Sequence, residues 1–321
     1  MSLSRLLAAL LVLSLSSLAA AQEWPAKPVR FVVPFPPGGT VDPLARLMAA
    51  KLTESFGQQF IVENRPGAGG SIGTAAVAKA APDGYSFVFV FDSHAVNQFL
   101  QPKMPFDTLR DLAPVMLVGT APYAIATRVD KPFKSFADVV AAAKAKPDTV
   151  TIGSIGNGTL GHLTTLLAQQ VGGFRITHVP YAGGGPMTQN LMGGQIDLGI
   201  GSAALLTPHV RSGKMRALAT TGEKRTPTLP DVPTLGEQGI PGVVALAWWG
   251  VFAPAGTPRP IIERFHGGLA KALAQPDVQK TLGESLGMEI VGASPEETQK
   301  FVVREMDRWG KVVKEHGVKV D

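Results

Sequence analysis

Three stretches of the chain gather glycines, the first two together with small hydroxyl side chains. They are Pro34-Phe35-Pro36-Pro37-Gly38-Gly39-Thr40-Val41-Asp42, Gly153-Ser154-Ile155-Gly156-Asn157-Gly158-Thr159-Leu160-Gly161-His162 and His178-Val179-Pro180-Tyr181-Ala182-Gly183-Gly184-Gly185-Pro186. Glycine lets a backbone approach a ligand closely, and the start of a helix exposes unpaired N–H groups, so such a loop at a helix start is suited to an anion. In the first stretch Gly38, Gly39 and Thr40 offer N–H donors and Thr40 a hydroxyl. Asp42 has two readings: it caps the following helix, or it orients the loop or accepts from a ligand through water. In the second, Ser154, Asn157 and Thr159 add side-chain donors, which makes a carboxylate cradle. A flavin or phosphate loop and a plain strand-to-helix turn are the competing readings. In the third, Tyr181 offers a ring or hydroxyl and Gly183 an N–H, while His178 is expected to pack or bond structurally. Two further loop ends, Phe91-Asp92-Ser93-His94 and Ile200-Gly201-Ser202, share the expected rim, and Ser202 either caps the next helix or touches ligand.

Catalytic constellations do not assemble from the same residues. The first loop is neither GxGxxG nor a P-loop, since no lysine follows the glycines, which argues against a nucleotide. There is no GxSxG elbow and no HExxH, and the six histidines are dispersed. A nucleophile, a base and an orienting group cannot be drawn together from visible motifs, so no enzyme, no cofactor and no metal site is expected. The absence of cysteine removes thiol nucleophiles and thiolate metal sites. Trp248-Trp249 lies on an apolar run. Alternation turns one ring inward, and core or inter-lobe packing is favoured over ligand stacking.

These loops need strands and helices to hold them. Val29 to Pro34, Gln59 to Glu63 and Ser86 to Phe91 have the composition of strands. Between them, 42–56 carries apolar residues at helical spacing and 71–81 is alanine-rich. This βαβαβ order argues for an α/β fold with a largely parallel sheet. A second set begins near Tyr123: helix 135–146 capped by Ser135, strand 150–153, helix 160–171, strand 175–180, helix 186–192, strand 196–200, helix 203–212 and strand 215–220. Residues 222–242 form a loop and crossover, and 245–254 returns to a strand. Helices are expected over 258–274, 276–286 and 295–316. The same architecture thus occurs twice, each time with a glycine loop between strand and helix. Ligands of open α/β sheets bind beyond the carboxyl ends of strands, so two such lobes facing one another define a cleft.

The N-terminus has the organisation of a secretory leader. Arg5 precedes an apolar stretch from Leu6 to Leu18, and Ala19 and Ala21 form a small-x-small site, so cleavage is expected after Ala21. A membrane anchor is the alternative, but the stretch is short for a span of about 20 residues. The remaining chain of about 300 residues suits two domains. Export without cysteine points to a bacterial periplasm. The formal charge is +5, and the leader carries one of those positive charges. This mild excess favours anionic ligands at long range and is equally an ordinary soluble surface. Lys and Arg are scattered, so nucleic acid is not an expected partner.

Several motifs together resemble the Bug-type extracytoplasmic solute receptors of the tripartite tricarboxylate transporter system. They are Val33 to Gly39 with Asp42; Val62-Glu63-Asn64-Arg65-Pro66-Gly67-Ala68-Gly69-Gly70; Ala78-Lys79-Ala80 with Pro82-Asp83-Gly84-Tyr85; His178-Val179-Pro180-Tyr181; Leu229 to Thr234; and Trp249-Gly250 with Ala253 to Pro258. The resemblance spans essentially the whole mature chain. It implies a type II periplasmic binding protein fold, two α/β lobes with a ligand cleft between them. Residues 22–124 and 246–321 would form one lobe and 125–245 the other, with the last helices returning to the first. It also implies a carboxylate held by backbone N–H groups, hydroxyls and ordered water. Carried onto this chain, the ligand positions are Gly38, Gly39, Thr40, Asp42, Ser154, Asn157, Thr159, Tyr181 and Gly183, with Ser93 and His94 at the cleft edge.

One departure stands out. Many relatives carry an acidic residue where this chain has Gly201, before Ser202. Its loss is expected to admit a larger or doubly anionic ligand, such as an aromatic or aliphatic dicarboxylate, over an amino acid. The expected function is capture of a small carboxylate by cleft closure, by a monomer, for delivery to membrane permease subunits. A ligand-sensing partner of a membrane histidine kinase and an exported enzyme on the same fold are the alternatives.

Overall fold

β1 (Val29–Val33) is apolar along its length because it is covered on both faces, with Val29, Phe31, Val32 and Val33 fully buried. The structure, a computed structural model, describes residues 24–101 and 103–318, so the expected leader lies outside the described residues. β1 leads through α1 (Val41–Phe56) to β2 (Phe60–Asn64), then through α2 (Ser71–Ala78) to β3 (Ser86–Phe91). Both neighbours pair with β1 in parallel, as the βαβαβ pattern predicts. A 3₁₀ turn, Asp92–Ala95, and the short α3 (Asn97–Leu100) follow.

β4 (Leu112–Arg128) is the spine of the molecule. Its first half, to Pro122, runs antiparallel to β9 (Leu246–Pro254); its second half, from Tyr123, runs antiparallel to β7 (Leu198–Ser202) and, from Ala124, to β8 (Met215–Thr220). β3 also pairs antiparallel with β9. Between β4 and β9 in the chain lie, besides β7 and β8, α4 (Phe136–Ala145), β5 (Thr151–Ser154), α5 (Leu160–Gly172), β6 (Thr177–Pro180), α6 (Gly184–Gly193) and α7 (Ala203–Arg211). β5 pairs in parallel with β6 and β7. The order is β2-β1-β3-β9-β4-β7-β5-β6, with β8 and β10 (Glu289–Ile290) also on β4.

The sheet is therefore mixed, and the expected largely parallel arrangement is confined to β2-β1-β3 in one lobe and β7-β5-β6 in the other. The difference comes from β4, which the sequence pattern does not announce. Pro114 and Pro122 interrupt it, and proline within a run argues against a strand. Register shifts after Pro114 and before Gly119 are bulges in this strand, and Pro122 is the last residue paired with β9.

The C-terminal helices return to the first lobe. α8 (Arg259–Leu273) places Phe265 against Phe87, ring centroids 4.0 Å apart, and beside Trp24 and Phe31. α9 (Pro276–Gln279) continues as a π-type turn, Lys280–Ser285, where a single helix was expected. α10 (Pro295–Glu315) starts with a capping box between Ser294 and Glu297 and carries Pro295 in its first turn. Thr298 on α10 accepts from the backbone N–H of Leu117 at 2.7 Å, fixing the helix to the spine strand. Among the described residues no helix is long and apolar enough to cross a membrane.

Candidate functional site

The first glycine loop joins β1 to α1, and its geometry is set from behind. Asp42 does not cap: it sits inside the first turn, nearly buried, and receives Asn64 Nδ2 at 2.8 Å and Arg46 Nε at 3.0 Å. Asn64 also donates to the Phe35 carbonyl at 3.1 Å, so the Asp42–Asn64 pair braces the loop. Of the two readings of Asp42, the orienting one matches this placement. Thr40 holds the N-cap position of α1, but its hydroxyl accepts from Trp249 Nε1 at 3.0 Å rather than capping. Trp248 and Trp249 are both fully buried, on opposite faces of β9, so neither ring is left outward as alternation suggested.

The second loop, between β5 and α5, ties up most of its own hydroxyls. Ser154 is fully buried; its Oγ lies 3.0 Å from the Gly156 carbonyl, 3.3 Å from the Gly156 N–H and 2.7 Å from His178 Nε2. Thr159 Oγ1 donates to the Gly156 carbonyl at 2.8 Å. His162 Nδ1 accepts from the Gly158 N–H at 3.0 Å. The rings of His162 and His178 stack at 3.9 Å, beneath the loop. Burial lowers His162 to about 4 and, with the added repulsion of its neighbour, His178 to about 3, so both are neutral near pH 7. The loop thus presents Ile155, Gly156 and the exposed Asn157 to the cleft, while Ser154 and Thr159 hold it in shape.

The third loop meets the first. A Cβ added at Gly38 would lie 3.3 Å from the Gly185 Cα, one at Gly185 would lie 2.9 Å from the Pro37 carbonyl oxygen, and one at Gly183 would lie 2.9 Å from Pro36 Cγ. Gly38 also has φ +90°, a conformation that favours glycine. The two lobes therefore touch backbone to backbone at this point. Such contact is open only to glycine, which is why both loops are rich in it.

Two adjoining cavities lie behind and beside that contact, sharing Phe35 and Ile155. The inner one, about 30 Å³, is lined by Gly39, Thr40, Tyr123, Gly184, Gly201 and Ser202, with Phe91 at its wall. Ser202 also caps α7, accepting from the Leu205 N–H at 3.3 Å. The outer one, about 650 Å³, is lined by Asn157 and Tyr181 on one side and by Pro66 to Gly70, Asn97, Gln101 and Lys103 on the other. Under the inner cavity, Tyr123 donates to Asp92 at 2.5 Å, and burial pushes the Asp92 carboxyl well above its ordinary range.

The sequence-derived positions divide accordingly. Gly39, Thr40, Gly201 and Ser202 meet at the inner cavity; Asn157 and Tyr181 face the outer one; Gly38 and Gly183 form the contact between lobes. Ser93 is buried and donates to the Gly69 carbonyl at 2.8 Å, supporting the outer wall from behind. His94 lines neither cavity: its ring packs 4.7 Å from Phe252, and burial lowers it to about 3. The outer wall at Gly67 to Gly70, Gln101 and Lys103 was not reached from the sequence as ligand-facing. The Pro-Gly-Ala-Gly-Gly run was a signal for part of it, but nothing local marks Lys103. Among the described residues no group of His, Asp or Glu is placed to hold a metal ion.

Residues 44–318 match the tripartite tricarboxylate transporter family receptor. The chain belongs to this family. The receptor is 38% identical to protein BugT of Bordetella pertussis over the full length of both chains. Among solved structures it is similar to R. palustris Rpa4515 with adipate, at TM-score 0.89 and 37% identity over 93% of this chain and 100% of that one. It is also similar to MatC from Rhodopseudomonas palustris with bound malate, at TM-score 0.85 and 33% identity over 90% of this chain and 100% of that one. The receptor therefore has the two-lobed fold of periplasmic binding proteins, as the sequence motifs implied.

Proposed function

We propose that this receptor captures a small carboxylate between its lobes and presents the closed complex to a membrane permease, without chemistry on the ligand. The observation that supports this most is the backbone contact of Gly38 with Gly185 beside an inner cavity walled by Gly39, Thr40, Gly184 and Ser202. These loops bring N–H groups and hydroxyls from both lobes to one point. The inner cavity is small enough to take only a water-sized or carboxylate-sized group, while the outer cleft has room for the rest of a ligand. The adipate and malate of the two solved relatives belong to the same chemical class.

On this reading a carboxylate bound by both loop systems favours the closed state through contacts that the open state lacks. The hinge lies where β4 passes from β9 to β7 and where β9 begins, dividing 22–124 and 246–321 from 125–245. The mature chain begins at Gln22 in the periplasm, after cleavage behind Ala21. A thermal-shift screen of the mature protein against mono- and dicarboxylates, aliphatic and aromatic, tests the capture. A ligand at 100 times its dissociation constant stabilises by about 2.7 kcal/mol. Stabilisation by one carboxylate class is the expected result; stabilisation by neutral or cationic solutes alone would overturn the reading.

A further inference from the structure

We infer that the receptor captures a proton along with its carboxylate, and that the proton's site is Asp92, bonded to Tyr123 across the hinge. The inference rests on the reading of this protein as a carboxylate receptor that closes. Tyr123 is anchored in the second lobe. Its backbone N–H donates to Thr221 Oγ1 at 2.9 Å, its carbonyl accepts from the Thr221 N–H at 3.0 Å, and it pairs with Ser202 on β7. Its ring lies beside Gly161, where a Cβ would meet Cε1 at 3.5 Å. The hydroxyl nonetheless crosses to the first lobe and donates to Asp92 Oδ2 at 2.5 Å. Tyr123 also walls the inner cavity beside Phe91, the residue before Asp92. The bond thus spans the hinge behind the cavity that shuts where Gly38 meets Gly185.

Nothing among the described residues compensates a negative charge on Asp92. The side chain is fully buried, its Oδ1 has no hydrogen-bond partner and no cation acts on it. The ionisable groups around it come from three elements. α10 contributes Glu305, half-buried and accepting from Trp309 Nε1 at 3.0 Å, with Arg304 and Arg308 acting on Glu305 rather than on Asp92. The 92–95 turn contributes His94, which burial keeps neutral, and β4 contributes Tyr123. β3, β9, α3 and the 68–70 turn also pack here and carry no ionisable side chain. A lone buried carboxylate in this setting costs far more than a neutral acid. Burial sets the carboxyl well above its ordinary range; the Tyr123 hydroxyl opposes this, Glu305 adds to it and the Ser93 N–H opposes it. When the lobes part, water enters the inner cavity beside Tyr123 and the carboxyl ionises as an exposed one does. Closing then takes up a proton, and by linkage protons favour closing. Carboxylate affinity therefore rises as pH falls through the closed-state value and levels off below the open-state value.

Calorimetry of the mature protein with adipate, malate and benzoate, from about pH 5 to about pH 9 in buffers of different ionisation heat, counts the protons taken up on binding. In part of that range the wild type should take up protons, to a limit of about one, that Asp92→Asn does not. Asn keeps the shape of Asp and the acceptor for Tyr123. Asp92→Asn should therefore bind at least as tightly at the alkaline end and lose that part of the pH slope, up to about tenfold per pH unit. Titration of the ligand and of His162 and His178 is common to both proteins and cancels. Tyr123→Phe should weaken binding several-fold and move the uptake to higher pH, because the hydroxyl favours the ionised carboxyl. Infrared difference spectra of the wild type report the same event without a variant: a carboxylic-acid C=O band should appear when ligand binds. Equal proton uptake by wild type and Asp92→Asn at every pH, an unchanged Tyr123→Phe, or no such band overturns the inference while leaving carboxylate capture standing. Binding of none of the three acids overturns the capture reading and the proton site together.

Discussion

The indole Nε1 of Trp249 donates to the hydroxyl of Thr40 at 3.0 Å, tying the central strand β9 to the N-cap of α1. Trp249 is fully buried and Thr40 lines the inner cavity, so one bond links the interior of the sheet to the cavity wall. Thr40→Val removes the acceptor and leaves a buried N–H unpaired. The expected cost is about 1–3 kcal/mol in chemical denaturation. Thr40→Ser keeps the acceptor and should stay near wild type. Equal stability of Thr40→Val and wild type would show that the bond contributes nothing.

Closure is separable from folding at Gly185. A methyl there meets the Pro37 carbonyl oxygen at 2.9 Å and the Gly38 backbone at 3.2 Å, contacts that exist only with the lobes together. Gly185 lies in the first turn of α6, where alanine is a better helix former than glycine. Gly185→Ala should therefore keep or raise the melting temperature of the ligand-free protein while weakening carboxylate binding about tenfold, or 1.4 kcal/mol. Unchanged affinity by calorimetry would remove the glycine contact from the closing mechanism.

Gly201 tests the charge preference of the inner cavity. A Cβ at this position meets only the ends of flexible side chains first, Leu205 Cδ2 at 3.0 Å and Met187 Cε at 3.3 Å, so a side chain is accommodated by their movement. Gly201→Asp would then add a negative charge to the wall without moving the backbone. Dicarboxylate affinity should fall by about tenfold or more. Binding as tight as wild type would show that the ligand carboxylate does not approach this wall.

The stacked histidines make stability depend on pH in a definite direction. His162 is lowered to about 4 and His178 to about 3 from an ordinary 6.5, and His94 in the core is also lowered to about 3. The unfolded chain takes up these protons as pH falls below 6.5, while the folded form refuses them until about 4 or 3. Their contribution is thus fully present above the unfolded value and is lost through the window below it. Melting temperature should decline on acidification from about pH 7 to about pH 4, and less steeply in His178→Gln. Identical slopes for the variant and wild type would contradict a contribution from His178.

Much of the architecture was legible because local physics decides it. Ser135 announces its helix as a cap, which the structure completes as a box with Asp138, Pro295 stands at the start of α10, and the apolar spacing of α1 marks the face it buries. The glycine loops were legible as cleft loops because they fall between a strand end and a helix start. β4 was not legible, because its prolines and near-continuous burial hide the period of a strand whose partners lie far along the chain.

The sequence alone determined that a two-lobed α/β receptor with anion-suited loops was to be expected, since residue types and their near neighbours carry that information. Only the tertiary structure decided which groups face the cleft. Ser154 and Thr159 turn their hydroxyls onto their own loop, and Ser93 turns to a neighbouring loop. His94 packs into the core, while Lys103 arrives at the cleft. A short hydroxyl bonds to whichever carbonyl the folded backbone brings within reach, and a cleft residue is defined by a wall contributed from the other lobe. Both are set by contacts distant in sequence, which no local pattern records.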